Sequence, residues 1–134
     1  MTAYDKALQL LGMREHGRKE LERKLIAKGY GREESSAALD RLVEEGWQSD
    51  ERFAESFIRS RLRKNPEGQA LLRARLVEKG IDSGLASSVI ERYFDEHTEE
   101  VKRIYAEYRK KTLERKGELK GRAALARKGL GFRD

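Results

Sequence analysis

The side chains best placed to do chemistry in this 134-residue chain are arginines. In the stretch "GWQSDERFAESFIRSRLRK", Arg52, Arg59 and Arg63 recur at i, i+7 and i+11. That spacing puts them on one face of a helix, away from the pair Phe53 and Phe57. Arg61, Lys64, Arg73, Arg75 and Lys79 widen this face into a local basic zone. Planar guanidinium groups match the oxygens of phosphate and carboxylate, so the chemistry on offer is recognition of an anion. For any single one of these cations, a solvated surface position is the competing reading.

A second basic group lies at the C-terminal end. Residues 1–100 carry 18 Lys and Arg against 20 Asp and Glu, whereas residues 101–134 carry 12 against 4. The net charge of +6 therefore arises wholly after residue 100. Lys102, Arg103, Arg109, Lys110, Lys111, Arg115, Lys116, Lys120, Arg122, Arg127 and Lys128 supply nearly all of it. A basic segment so concentrated favours a polyanionic partner, either nucleic acid or an acidic protein face. The plainer alternative is an amphipathic helix with a Lys-rich outer side.

Bond-making chemistry finds no foothold. The chain has no Cys, which removes disulfides, thiolate metal sites and thiol nucleophiles together. G-x-x-x-x-G-K-[ST], G-x-S-x-G and H-E-x-x-H do not occur. His16 and His97 lie far apart without neighbours at ligand spacing, and both read as structural or solvent-exposed. The sequence thus leads us to expect no enzyme, metal or cofactor.

The elements that must carry these cations are helices. Only one Pro is present, 40% of residues are charged, and Glu, Lys, Arg, Leu and Ala are abundant, a composition of strong helix formers. Apolar spacing predicts helices over about 3–14, 17–28, 32–45, 50–63 and 66–79, then one from Asp82 and one from Thr98. Val43 is expected to face inward. Asp50, Asp82 and Thr98 are expected as N-caps, as is Asn65 with Pro66 in the first helical position. Phe53 and Phe57 read as core, as do Tyr105 and Tyr108 with Val101 and Ile104. Trp47 reads as a wedge between two units.

The helices repeat. "ELERKLIAKGY" ends at Tyr30 and "LLRARLVEKGI" ends at Ile81, 51 residues later. That offset pairs Leu21 with Leu72, Leu25 with Leu76, Gly29 with Gly80 and Leu39 with Ile90. Near an offset of 100, Leu125 and Gly129 match Leu25 and Gly29 again. A period of this length in helical sequence predicts an array of helical units. We expect an all-α, elongated array of tandem three-helix repeats, with units at 1–48, 49–97 and 98–134 and the third one incomplete.

The ordered series "KGY", a Gly-Trp pair before Asp50-Glu51-Arg52-Phe53-Ala54, "KGI" and a third Arg127-Lys128-Gly129 resembles the RecX family, regulators of the RecA recombinase. The likeness runs over nearly the whole chain, and the D-x-R-F-A string is its most specific part. The resemblance implies a non-enzymatic modulator that lies in the groove of the RecA–single-stranded DNA filament. It implies inhibition of filament extension, ATP hydrolysis, strand exchange and repressor cleavage. The alternative is a direct nucleic-acid-binding module of helix-turn-helix-like repeats, acting on naked DNA. Without a signal pattern or a long apolar run, a soluble, cytoplasmic chain is expected, as a monomer.

Overall fold

The computed structural model describes residues 1–132, which form eight helices and no strand. In order these are α1 (Ala3–Met13), α2 (Arg18–Ala27), α3 (Arg32–Glu44), α4 (Asp50–Lys64), α5 (Gln69–Glu78), α6 (Ser83–Glu96), α7 (Thr98–Lys116) and α8 (Glu118–Arg127). Helices α1 and α2 both pack on α3, α4 and α5 both pack on α6, and α7 pairs with α8.

Two separate cores result. Ala3, Ala7, Leu21, Leu25, Leu39 and Leu42 close the first. The second is built on Phe53, Ile58, Leu62, Leu72, Leu76, Val89 and Ile90, and it also takes in Val101 from α7. Each helix gives one apolar stripe, enough to seal a small bundle but not to merge the bundles into one globule. The accessible surface is 8560 Å², whereas a compact monomer of 15.5 kDa exposes about 7200 Å². The molecule is an elongated array.

The repeated Lys-Gly stop is the same device each time. Tyr30 N–H donates to Leu25 carbonyl at 3.1 Å, Ile81 N–H to Leu76 carbonyl at 3.0 Å and Leu130 N–H to Leu125 carbonyl at 2.8 Å. Each bond reaches back across a glycine with positive φ, 97° at Gly29, 95° at Gly80 and 73° at Gly129. This is the Schellman closure, in which a left-handed residue satisfies the last carbonyls and brings an apolar side chain back onto the helix.

Several local expectations need correction. Ser49, not Asp50, caps α4, accepting from Arg52 N–H at 3.1 Å. Asn65 ends α4 instead of starting α5, which begins only at Gln69 behind Gly68. Residues 65–68 stay out of the helix because they make contacts between units, described below. Thr98 does not cap α7; its hydroxyl donates back to the carbonyls of Phe94 and Asp95. Val43 is 44% exposed, since Leu39 and Leu42 already fill the inner face of α3. Phe57 and Tyr105 lie at the edge of the second core, and Trp47 is 55% exposed because Gln48 takes the buried place at the junction.

Candidate partner-binding surface

Polar joints fix how successive units sit. At the first, the buried Gln48 amide donates to the His16 carbonyl at 3.2 Å and to Asp50 Oδ1 at 3.0 Å. The same Asp50 oxygen accepts from Arg18 N–H at 2.9 Å. Helix α2 has Gly17 at its N-cap and no side-chain cap of its own, so Asp50 of the next unit satisfies one of its free amides. His16 is buried, with Nδ1 2.9 Å from the Arg14 carbonyl and Nε2 3.0 Å from Lys24 Nζ. This network assigns the proton to Nδ1. Burial lowers the imidazole pKa, against a smaller opposing effect of the Arg14 carbonyl.

At the second joint, Glu67 is buried and its carboxylate holds two arginines. It accepts from Arg61 Nε at 2.8 Å and from Arg75 Nη2 at 2.7 Å. Burial raises its pKa, but the hydrogen bonds from Arg75 and Arg61 outweigh this and hold it below the ordinary 4.5. Its main-chain carbonyl accepts from the Tyr105 hydroxyl at 2.7 Å, and Gly68 N–H donates to the Lys128 carbonyl at 2.8 Å. A Cβ on Gly68 would lie 2.5 Å from the Gly129 carbonyl oxygen, and one on Gly80 would lie 2.6 Å from Lys19 Cδ. Both joints therefore press the start of one unit's second helix against the Lys-Gly stop that follows. The offset of 51 pairs His16-Gly17 with Glu67-Gly68. This pairing was available in the sequence, yet only the fold shows that both polar residues are buried.

The cations named from the sequence fall into four groups. Arg61 and Arg75 turn inward to Glu67. Others are engaged locally at the surface. Arg52 meets Glu15 at 2.7 Å and the Trp47 carbonyl, Arg73 donates to Ser87 Oγ, and Lys79 sits over the Phe57 ring. Lys102 pairs with Glu99, Arg122 with Glu118, and Arg109 donates to the Leu130 carbonyl. Arg103, Lys110 and Lys120 are exposed.

The remainder gather in two grooves, Arg59 and Lys111 among them being also paired, with Glu55 and Glu107. Arg59, Arg63, Lys64 and Lys111 line a groove of about 430 Å³ between α4 and α7, which also contains Glu100 and Glu107. Arg115, Lys116, Arg127 and Lys128 line a smaller one of about 290 Å³ between α7 and α8. Tyr108 is on the edge of both, half-buried instead of in a core. Arg59 and Arg63 share a groove as their spacing requires, while Arg52 at the other end of α4 is held against the first unit. Among the described residues no three His, Asp or Glu side chains converge as a metal site, and no helix is long and apolar enough to cross a membrane.

Two family models match this architecture. The first three-helix domain of RecX matches residues 3–42, and the second matches residues 49–90. The chain belongs to the RecX family. Proteins named Regulatory protein RecX from Xanthomonas axonopodis pv. citri and Xanthomonas oryzae pv. oryzae are each 43% identical over 98 residues. Those matches cover 73% of this chain and about three-fifths of the relatives' length. The crystal structure of RecX from Lactobacillus salivarius superposes with a TM-score of 0.75 at 23% identity, covering 98% of this chain and 86% of that one. A second crystal structure of regulatory protein RecX gives 0.77 at 22% identity, covering 96% and 67%. These structural likenesses show the fold. The family is a regulatory one, and its two matched domains end close to where the two cores do.

Proposed function

We propose that the chain is a non-catalytic regulator that lies along the groove of the RecA–single-stranded DNA filament and restrains it. Filament extension, ATP hydrolysis, strand exchange and repressor cleavage are the activities it inhibits. It acts in the cytoplasm as a monomer, through three units at 1–48, 49–97 and 98–134 joined by the polar contacts at Gln48 and Glu67.

The observation that supports this reading best is where the cations stand. They line open grooves on the outside of an array whose units are fixed by buried hydrogen bonds. An array of this kind presents a long surface and tracks another polymer better than it encloses a small substrate. Exposed cations then meet acidic protein surface or phosphate along that path.

Co-sedimentation separates this reading from direct binding to naked DNA. At one salt concentration in the physiological range, the chain is expected to pellet with RecA filaments on single-stranded DNA and to be recovered far less with the same DNA alone, which it holds firmly only at lower salt. Equal recovery on naked DNA, with loss from filaments when bare DNA is added in excess, would favour the helix-turn-helix-like module instead.

A further inference from the structure

The groove between α7 and α8 differs in kind from its neighbours. The α4–α7 groove contains Glu100 and Glu107, and a third one beside α5 and α6 contains Asp95. The α7–α8 groove contains Arg115, Lys116, Arg127 and Lys128 and no carboxylate. Among the described residues, none of these four cations has an acidic partner. Of the acids on α7 and α8, Glu107 pairs with Lys111 and Glu118 with Arg122, while Glu114 is exposed and does not line the groove. Arg115, Lys116 and Arg127 stand in the last turns of their helices, where the dipole makes cations tolerable. The dipole does not account for their convergence on one small cavity.

The neutral groups in the groove are donors as well. Lys128 Nζ donates to the Tyr108 hydroxyl oxygen at 2.9 Å, which leaves the Tyr108 O–H free to donate outward. Thr112 lines the same groove and is buried, and its hydroxyl has no hydrogen-bond partner. An orphaned buried hydroxyl costs free energy unless something satisfies it. Four positive charges and two unspent hydroxyl donors, with no acceptor charge among them, call for a small ligand made of acceptors.

We propose that the α7–α8 groove is a phosphate seat that takes one phosphodiester of a nucleic-acid strand. A tetrahedral phosphate offers several acceptor oxygens to converging donors, and arginine forks match its geometry. Tyr108, which edges this groove and the α4–α7 groove alike, marks where the strand passes from one to the other. Free phosphate has the same chemistry and is the other source to be tested. The choice of a strand rests on the regulator reading above, whereas the seat itself does not.

The test is direct binding of the full chain to a fluorescein-labelled oligothymidylate across a salt series, without RecA. The double variant Arg115→Gln with Arg127→Gln is expected to weaken binding at least about tenfold and to lower the slope of log K against log salt by about one. Lys28→Gln, on an exposed cation of the first unit, is expected to leave the slope unchanged. Thr112→Val keeps side-chain shape and removes an unsatisfied hydroxyl, so helicity stays as in the parent and thermal unfolding does not fall, while affinity drops several-fold; Thr112→Ser keeps the parent affinity. An unchanged slope in the double variant overturns the seat. Pyrophosphate is titrated in parallel, followed by amide NMR shifts at residues 112–128. If it saturates these shifts at micromolar concentration and the oligonucleotide does not displace it, the strand assignment fails. A chain that inhibits RecA but shows neither response loses the seat and keeps the regulator reading. A chain that shows them without inhibiting RecA does the reverse.

Discussion

The phenol of Tyr105 donates to the main-chain carbonyl of Glu67 across 2.7 Å, linking α7 to the loop that opens α5. The Glu67 carboxylate simultaneously holds Arg61 and Arg75. One residue thus fixes the second unit internally through its side chain and fixes the following helices through its backbone.

Removing that carboxylate should be costly. Glu67→Ala leaves two arginines without their acceptor, and breaking a fully buried ion pair costs about 3–5 kcal/mol. Because the Arg75 side chain remains 41% exposed, water recovers part of the loss and we expect about 2 kcal/mol. Urea unfolding followed by circular dichroism measures it. A change within the scatter of ordinary surface substitutions would show that Glu67 is not a keystone.

The pH dependence has a definite sign. The Glu67 carboxyl is depressed on folding, so its contribution is present above its unfolded value of about 4.5 and is lost as pH falls through the folded value. The stability gap between the parent and Glu67→Gln should therefore be widest near neutrality and close below pH 4.5. A gap that stays constant from pH 7 to pH 3 would contradict the assigned ion pairs.

Tyr105 makes a spectroscopic prediction. Burial pushes its phenol up to about 12, only partly offset by Arg109. Titrating absorbance at 295 nm should show one of the five tyrosines ionising near pH 12. Tyr105→Phe should abolish that step and cost about 1 kcal/mol for the lost hydrogen bond. Retention of the step in the variant would place Tyr105 elsewhere.

Charge reversal probes the surface. Arg59, Arg63 and Arg73 lie outside the Glu67 joint, so replacing all three by Glu should leave helicity intact. Recovery on RecA filaments in the pelleting assay should drop at least about tenfold. Unchanged recovery removes this zone from the contact. Truncation before Lys102 is a poorer probe, because Ile104 and Tyr105 pack against the second core.

The helices and their stops were legible because periodicity and the Lys-Gly ends are local signals. Gly29, Gly80 and Gly129 have the positive φ that such stops require. The joints were not legible, since they depend on pairs such as Gln48 with His16, and Glu67 with Arg61, Arg75 and Tyr105. Burial of those polar groups follows from how units meet, which spacing within one helix does not report. The same blindness placed Trp47 at the junction that Gln48 occupies, and gave Asp50 to its own helix when it serves α2. Among the candidate cations, spacing brought Arg59 and Arg63 together correctly. It could not foresee that Arg61, two residues from Arg63, turns inward.

RecA's DNA-dependent ATPase reads the proposed restraint of the recombinase filament in one assay. Titrated into RecA on single-stranded DNA, the chain should suppress hydrolysis at far less than one molecule per RecA subunit, and excess naked DNA should not restore it. Hydrolysis that stays at its starting rate at every ratio, up to a molar excess of the chain, would rule that restraint out.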